Sequence, residues 1–276
     1  LAVDADNFLK RFLKFKLKKH ESWLKFCQTV RGLIPRIEDV NNTGKNYLSP
    51  YDFILNLEGL LDKGDLMVPC SSGSAFTLSM QLFKQTFGQR IITNKSLAAM
   101  GYGLSGAIGA AIAGSASTRT ILIEGDGGFA QNMQELSTAK INDLNLKIFI
   151  FDDQGHASIR MTQRSYFDGK YLGCDPESGL GLPDWEKLFG VWSIPVLRIN
   201  RNFSESKAFR TLFDNPGLAA FIVNVDPKQT YLPKIASRIT ATGSMESNPI
   251  DIMSPEIDYL KVENMDSELY DEFMSN

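Results

Sequence analysis

The sequence predicts an α/β fold: a doubly wound, mostly parallel sheet with helices on both faces, preceded by a helical lead and followed by a C-terminal arm. Three observations predict it. Strand-like and helix-like segments alternate between residues 65 and 225, as they do when crossover helices join parallel strands. Ile121-Leu122-Ile123, Ile148-Phe149-Ile150 and Phe221-Ile222-Val223 are unbroken apolar runs, expected of central strands buried on both faces. Polar or glycine-bearing turns follow three strands, at Ser71 to Ser74, Gly125 to Gly128 and Asp152 to Gly155, the end of such a sheet where ligands gather.

The elements follow in order. Lys10, Arg11, Lys14, Lys16, Lys18, Lys19 and Lys25 interleave with Phe8, Leu9, Phe12, Leu13 and Leu17, which reads as a basic amphipathic helix whose charged face is solvated and whose apolar face is docked. Neither nucleic acid nor a membrane is needed to explain it. A polar connection at 41–46 leads to Ser49-Pro50, an N-cap with proline at the first helical position, and a helix over 51–61. The alternation then runs strand 65–69, helix 75–87, strand 90–93, helix 99–113, strand 120–124, helix 131–141, strand 147–151, helix 184–189, strand 196–200, helix 205–213 and strand 219–225. Beyond Asp226-Pro227 the pattern lapses into a polar tail punctuated by Pro233, Gly243, Pro249 and Pro255, read as a wrapping arm or lid. The expected organisation is a lead and linker at 1–48, an α/β domain at 49–228 and an arm at 229–276. A first residue of leucine, within what reads as a segment already in progress, suggests a piece of a longer protein.

Composition narrows the chemistry. With 276 residues, 43% of them apolar and 22% charged, the chain can bury a full core. It carries no long apolar run and no secretory-type N-terminus, so the cytoplasm is the expected compartment. Cys27, Cys70 and Cys174 are too scattered for a disulfide framework or a zinc site, and His20 and His156 are too few for a histidine-rich metal centre.

Asp126 and Asp153 carry the chemical signal, because a strand, a crossover helix and the next parallel strand use about as many residues as separate them. Their turns therefore belong side by side. Glycines let backbone approach a phosphate, whereas carboxylates repel one unless a hard divalent cation bridges the two, so magnesium with a diphosphate satisfies both. Alternatively, Gly125 to Gly128 is only a tight strand-to-helix turn capped by Asp126. Gly101-Tyr102-Gly103-Leu104-Ser105-Gly106 also matches a dinucleotide fingerprint literally, but residues 95–100 separate it from the preceding strand. Gly109, Ala110, Ala111, Ala113 and Gly114 continue its small residues, which points to close helix packing.

From about Ser49 onward these residues resemble the C-terminal, diphosphate-binding module of thiamine diphosphate-dependent enzymes of the acetolactate synthase type. The family signature, Gly-Asp-Gly followed after a fairly constant gap by Asn-Asn, is matched by Gly125-Asp126-Gly127 and Asp152-Asp153. Met100 to Leu104, Asn132 to Leu136 and Ala157 to Arg160 match further. The resemblance implies thiamine diphosphate and magnesium as cofactors, with Asp126, Asp153 and the Gly155 carbonyl ligating the metal. It implies that Gly73 and Ser74, with Gly125, Gly127 and Gly128, hold the diphosphate, that Met100 props the bent cofactor, that Ala98 and Met100 offer backbone to the aminopyrimidine, and that His156 lies beside the diphosphate. The activity implied is decarboxylation of a 2-keto acid with carboligation. Decarboxylation alone, and a non-catalytic module with a decayed metal site, are the alternatives. The activating glutamate is expected from a pyrimidine-binding domain of the same or another chain, in a homodimer, so no catalytic residue is assigned here and this piece alone is expected to be inactive. Where the family usually has asparagine, Asp153 brings a negative charge that at about 5 Å and an effective dielectric of about 20 costs about 3 kcal/mol if nothing offsets it. On that condition Asp153→Asn binds metal and cofactor more tightly. His156, Lys95 and Arg160 are the candidate compensating cations.

Overall fold

The three apolar runs form the middle of a six-stranded, wholly parallel sheet in the computed structural model, which describes residues 3–16, 18–33, 36–41, 43–70, 73–115, 117–250 and 252–255. Residues 39–231 make one compact unit, and 1–38 with 232–276 make another. In the second of these, α1 (Ala5–Phe12) is capped by the Asp4 side chain, and α2 (Glu21–Leu33) follows. Phe8 and Phe12 stack on each other and stay exposed.

The larger unit begins with a short 3-10 turn at Asp39–Asn41 and α3 (Pro50–Glu58), whose N-cap is Ser49. Then come β1 (Leu66–Pro69), α4 (Gly73–Leu82), β2 (Arg90–Ile91), α5 (Tyr102–Ala113), β3 (Thr120–Gly125) and a one-turn α6 (Asp126–Phe129). A 3-10 turn at Met133–Glu135 leads to α7 (Leu136–Ile141), β4 (Leu146–Asp152), α8 (Ala157–Tyr166), α9 (Trp185–Val191), β5 (Val196–Ile199), α10 (Lys207–Asp214) and β6 (Ala219–Asn224). The strand order is β2-β1-β3-β4-β6-β5. The β-branched and aromatic runs at Ile148 to Phe151 of β4 and Phe221 to Val223 of β6 suit strands that bury both faces.

Alternate side chains of those strands feed two cores. Leu122, Ile148, Ile150 and Ile222 pack with Leu104 of α5, Phe129 of α6, and Trp185 and Phe189 of α9. On the other face Phe149 and Phe221 join Phe53 of α3 and Phe209 and Phe213 of α10 in a ring cluster whose centroids lie 4.8–6.4 Å apart. Helices thus cover both faces, as expected.

Two charged clusters sit at the amino ends of the strands. Arg119, just before β3, pairs with buried Asp65 at 2.6 Å and stacks over Phe213 at 4.2 Å. Lys147 in β4 is buried and donates to the carbonyls of Asn215 and Gly217 at 2.8 and 2.7 Å.

Some expectations change. The helix expected at 75–87 starts at Gly73 and ends at Leu82, and the strand expected at 90–93 is only Arg90–Ile91. Gly101, at φ +83°, turns the chain into α5, which starts at Tyr102 rather than residue 99. A Cβ on Gly103 would come within 2.6 Å of the buried Glu124 carboxylate, so the glycine run does serve close packing of α5 on β3. The polar tail holds short antiparallel pairs, β7 (Lys234–Ile235) with β10 (Met253–Ser254) and β8 (Ser237–Ile239) with β9 (Met245–Ser247). Its acid-rich end, from 256, lies outside the described residues, as do Ser71 and Ser72.

Candidate active site: two acidic turns joined at the sheet's carboxyl edge

Because β3 and β4 are neighbours in parallel register, with Gly125 opposite Phe151, the Asp126 and Asp153 turns emerge together. A hydrogen bond joins them: Asp126 Oδ2 accepts from the Gly155 N–H at 2.9 Å, while Oδ1 accepts from Gly127 N–H at 2.6 Å. Glycine is required at this junction. A Cβ on Gly127 would lie 2.5 Å from His156 Cε1, and one on Gly155, which sits at φ +144°, would crowd the Cys174 backbone and lie 2.8 Å from Arg160 Nη1.

A cavity of about 60 Å³ opens above the junction. Gly73, Ser74, Met100, Gly125, Gly127, Gly128, Asp153, Gly155 and His156 line it, with Ala157, Ser158 and Ile159. Of the residues singled out from the sequence, nine are therefore on one wall or another, and two are not: Asp126 lies fully buried beneath, and Ala98, at φ +49° in the turn before α5, is absent from the lining. The first residues of α4 and α8 both border the cavity, so two helix N-termini offer backbone N–H groups to an anion.

The acids are held in a state that favours a cation. Burial, then the Asp153 and Asp152 carboxylates, push the Asp126 carboxyl well above the usual range against the two N–H donors. Burial raises Asp153 to about 6, opposed mainly by Arg160. A hard divalent ion beside two carboxylates and a backbone carbonyl would relieve both desolvated groups. Burial, then the Asp153 carboxylate, push up the pKa of the buried Tyr231 hydroxyl, against the Ser74 side chain. Ser74 stands nearby. The donor set and the glycine cradle fit magnesium with a diphosphate.

Of the candidate compensating cations, Arg160 is the one that reaches Asp153, at 2.6 Å. Lys95 packs over the Phe76 ring at 4.7 Å, and burial beside Arg160 lowers the His156 pKa, so that ring is neutral at neutral pH. The condition for an uncompensated charge at 153 is therefore not met. Ser158 and Tyr231 were not foreseen as site residues. Ser158 sits in a stretch that already matched the resemblance, whereas nothing local marks Tyr231.

Similarity to known proteins agrees with this geometry. Residues 71–223 match the family described as thiamine pyrophosphate enzyme, C-terminal TPP binding domain. The large subunit of acetolactate synthase isozyme 2 of Escherichia coli (strain K12) is 30% identical over 241 residues, spanning 85% of this chain and 41% of that protein. Acetolactate synthase 3, chloroplastic, of Brassica napus is 26% identical over 192 residues, 68% of this chain and 29% of that one. The chain thus spans well under half the length of these relatives. A thiamine diphosphate-dependent 4-hydroxybenzoylformate decarboxylase of Rhodococcus jostii RHA1 shares the fold with a TM-score of 0.60 at 16% identity, covering 71% of this chain and 36% of that one. With the match extending over more than half of its residues and falling on the cavity-lining turns, the chain belongs to the thiamine pyrophosphate enzyme C-terminal domain family.

Proposed function

We propose that this chain supplies the diphosphate-binding and magnesium-binding half of an enzyme that decarboxylates a 2-keto acid and joins the resulting acyl unit to a second carbonyl. The observation that carries the reading is the Asp126 carboxylate spanning two glycine turns beneath a cavity bordered by two helix N-termini. Asp126, Asp153 and the Gly155 carbonyl would hold magnesium. Gly73, Ser74 and the backbone of Gly125, Gly127 and Gly128 would hold the diphosphate, and Met100 would prop the rest of the cofactor. Thiamine diphosphate supplies, when bound, an electron sink for the loss of carbon dioxide from the substrate.

The chain's own residues bind and orient. Asp126 fixes the spacing of the two turns, and Met100 and Ile159 contribute apolar surface to the cavity lining. The group that activates the cofactor comes, in this proposal, from a pyrimidine-binding domain, in a homodimer.

Thermal unfolding with thiamine diphosphate and magnesium together, with each alone, and with a nicotinamide dinucleotide tests the site. Both components together, at about a hundred times the dissociation constant, stabilise by about 2.7 kcal/mol. For a unit of this size that raises Tm by about 5 to 10 °C. No shift from the pair would refute a working site and leave the decayed module. Release of free aldehyde from pyruvate with no acetolactate by the intact protein would favour decarboxylation without ligation.

A further inference from the structure

Asp153 places a second buried carboxylate beside Asp126, at the edge of a cavity fitted for a polyanion, and its charge is met inside the protein. Arg160 projects from α8 into the turn. Its Nη2 donates to Asp153 Oδ1 at 2.6 Å and to the Asp153 carbonyl at 2.8 Å. Its Nη1 reaches the carbonyls of Gln154 and Cys174 at 3.2 and 3.3 Å. The two side chains are 5% and 8% exposed, so solvent screens this pair little and removing either partner strands the other's charge.

We propose that Arg160 is a positioning residue that adapts Asp153 to the metal–diphosphate site: it cancels the carboxylate's charge and occupies Oδ1, leaving Oδ2 as the oxygen outside the ion pair. This inference rests on the functional reading above. An aspartate so paired acts toward a cation much as a neutral amide would, through one oxygen and without net charge. The same guanidinium fastens the turn to the Cys174 segment, whose carbonyl also accepts the His156 N–H at 2.8 Å. The turn is thereby shaped before any metal arrives.

The test is the affinity of the intact protein for magnesium in the presence of saturating thiamine diphosphate, by calorimetry, with manganese electron paramagnetic resonance as a direct reading of the bound ion. Arg160→Gln is expected to weaken metal binding at least tenfold. The double change Asp153→Asn with Arg160→Gln, which removes both charges together, is expected to return within threefold of the parent. A merely structural role for Arg160 gives no such rescue. The proposal is overturned if Arg160→Gln binds within threefold of the parent, or if the double variant binds no more tightly than Arg160→Gln. Should Arg160→Gln fail to fold, the double variant decides alone: within threefold supports the proposal, and a tenfold loss overturns it. Should both fail, Arg160→Lys decides, with a loss of more than tenfold counting against charge compensation. A parent that binds neither metal nor cofactor overturns the functional reading and this inference with it. A parent that binds, with uncoupled variants, overturns the inference alone.

Discussion

Replacing Gly155 with alanine tests whether the two turns are as tightly joined as their geometry requires. At φ +144° the backbone is in a region that side-chain-bearing residues rarely enter, which costs about 1 to 3 kcal/mol. The new Cβ would also press on the Cys174 backbone, its carbonyl carbon only 3.1 Å away, and backbone cannot swing aside as a side chain end can. Overpacking of this kind costs about 1 to 3 kcal/mol more. The sum, about 2 to 6 kcal/mol, is a large fraction of the roughly 5 to 15 kcal/mol that stabilises a typical domain. Gly125→Ala is the control, since Gly125 has φ −76° and nothing within 4 Å of an added Cβ. Urea unfolding followed by circular dichroism, without cofactor, should show Gly155→Ala destabilised by at least 2 kcal/mol and Gly125→Ala within about 0.5 kcal/mol of the parent. Equal stability of Gly155→Ala and the parent would refute the argument that the junction admits only glycine.

Two further outcomes concern the amino ends of the strands. Arg119→Met should cost about 3 to 5 kcal/mol in the same urea assay, because it leaves Asp65 buried beside an apolar side chain; a loss under 1 kcal/mol would show that water reaches Asp65. Burial, helped by Arg119, lowers the Lys147 pKa from 10.5 to about 8. Below pH 8 the amine is charged in both folded and unfolded chains, so its burial penalty is constant. Between pH 8 and 10.5 the unfolded chain holds the extra proton and stability rises with pH. The parent should therefore gain about 1 to 2 kcal/mol relative to Lys147→Met between pH 8 and 10, and parallel stability curves for the two would count against the assignment.

The sheet was legible because its central strands are buried on both faces, which writes them as unbroken apolar runs at 121–123, 148–150 and 221–223. The meeting of Asp126 with the second turn was legible for a related reason, since a crossover of that length leaves little choice of neighbour. What the sequence concealed is mostly short or polar. The α8 segment buries only Arg160 and shows no apolar face, and α6 is one turn containing two glycines, held by what Asp126 accepts rather than by propensity. With α8 unseen, the pairing of Arg160 with Asp153 could be suspected but not placed. Tyr231 approaches Ser74 across most of the chain, a contact that no local pattern announces. Ala98 was assigned to the cofactor site through its likeness to the family; it sits at φ +49° and is not among the residues that line the cavity.

The buried cations Arg119 and Lys147 stand where the strands begin, and the acidic turns stand where they end. A sheet's length of apolar side chains insulates the one from the other. Heat resistance in this protein can therefore be engineered at the foot of the sheet, by swapping those buried charges and their partners for packed hydrocarbon, without disturbing the turns at the rim.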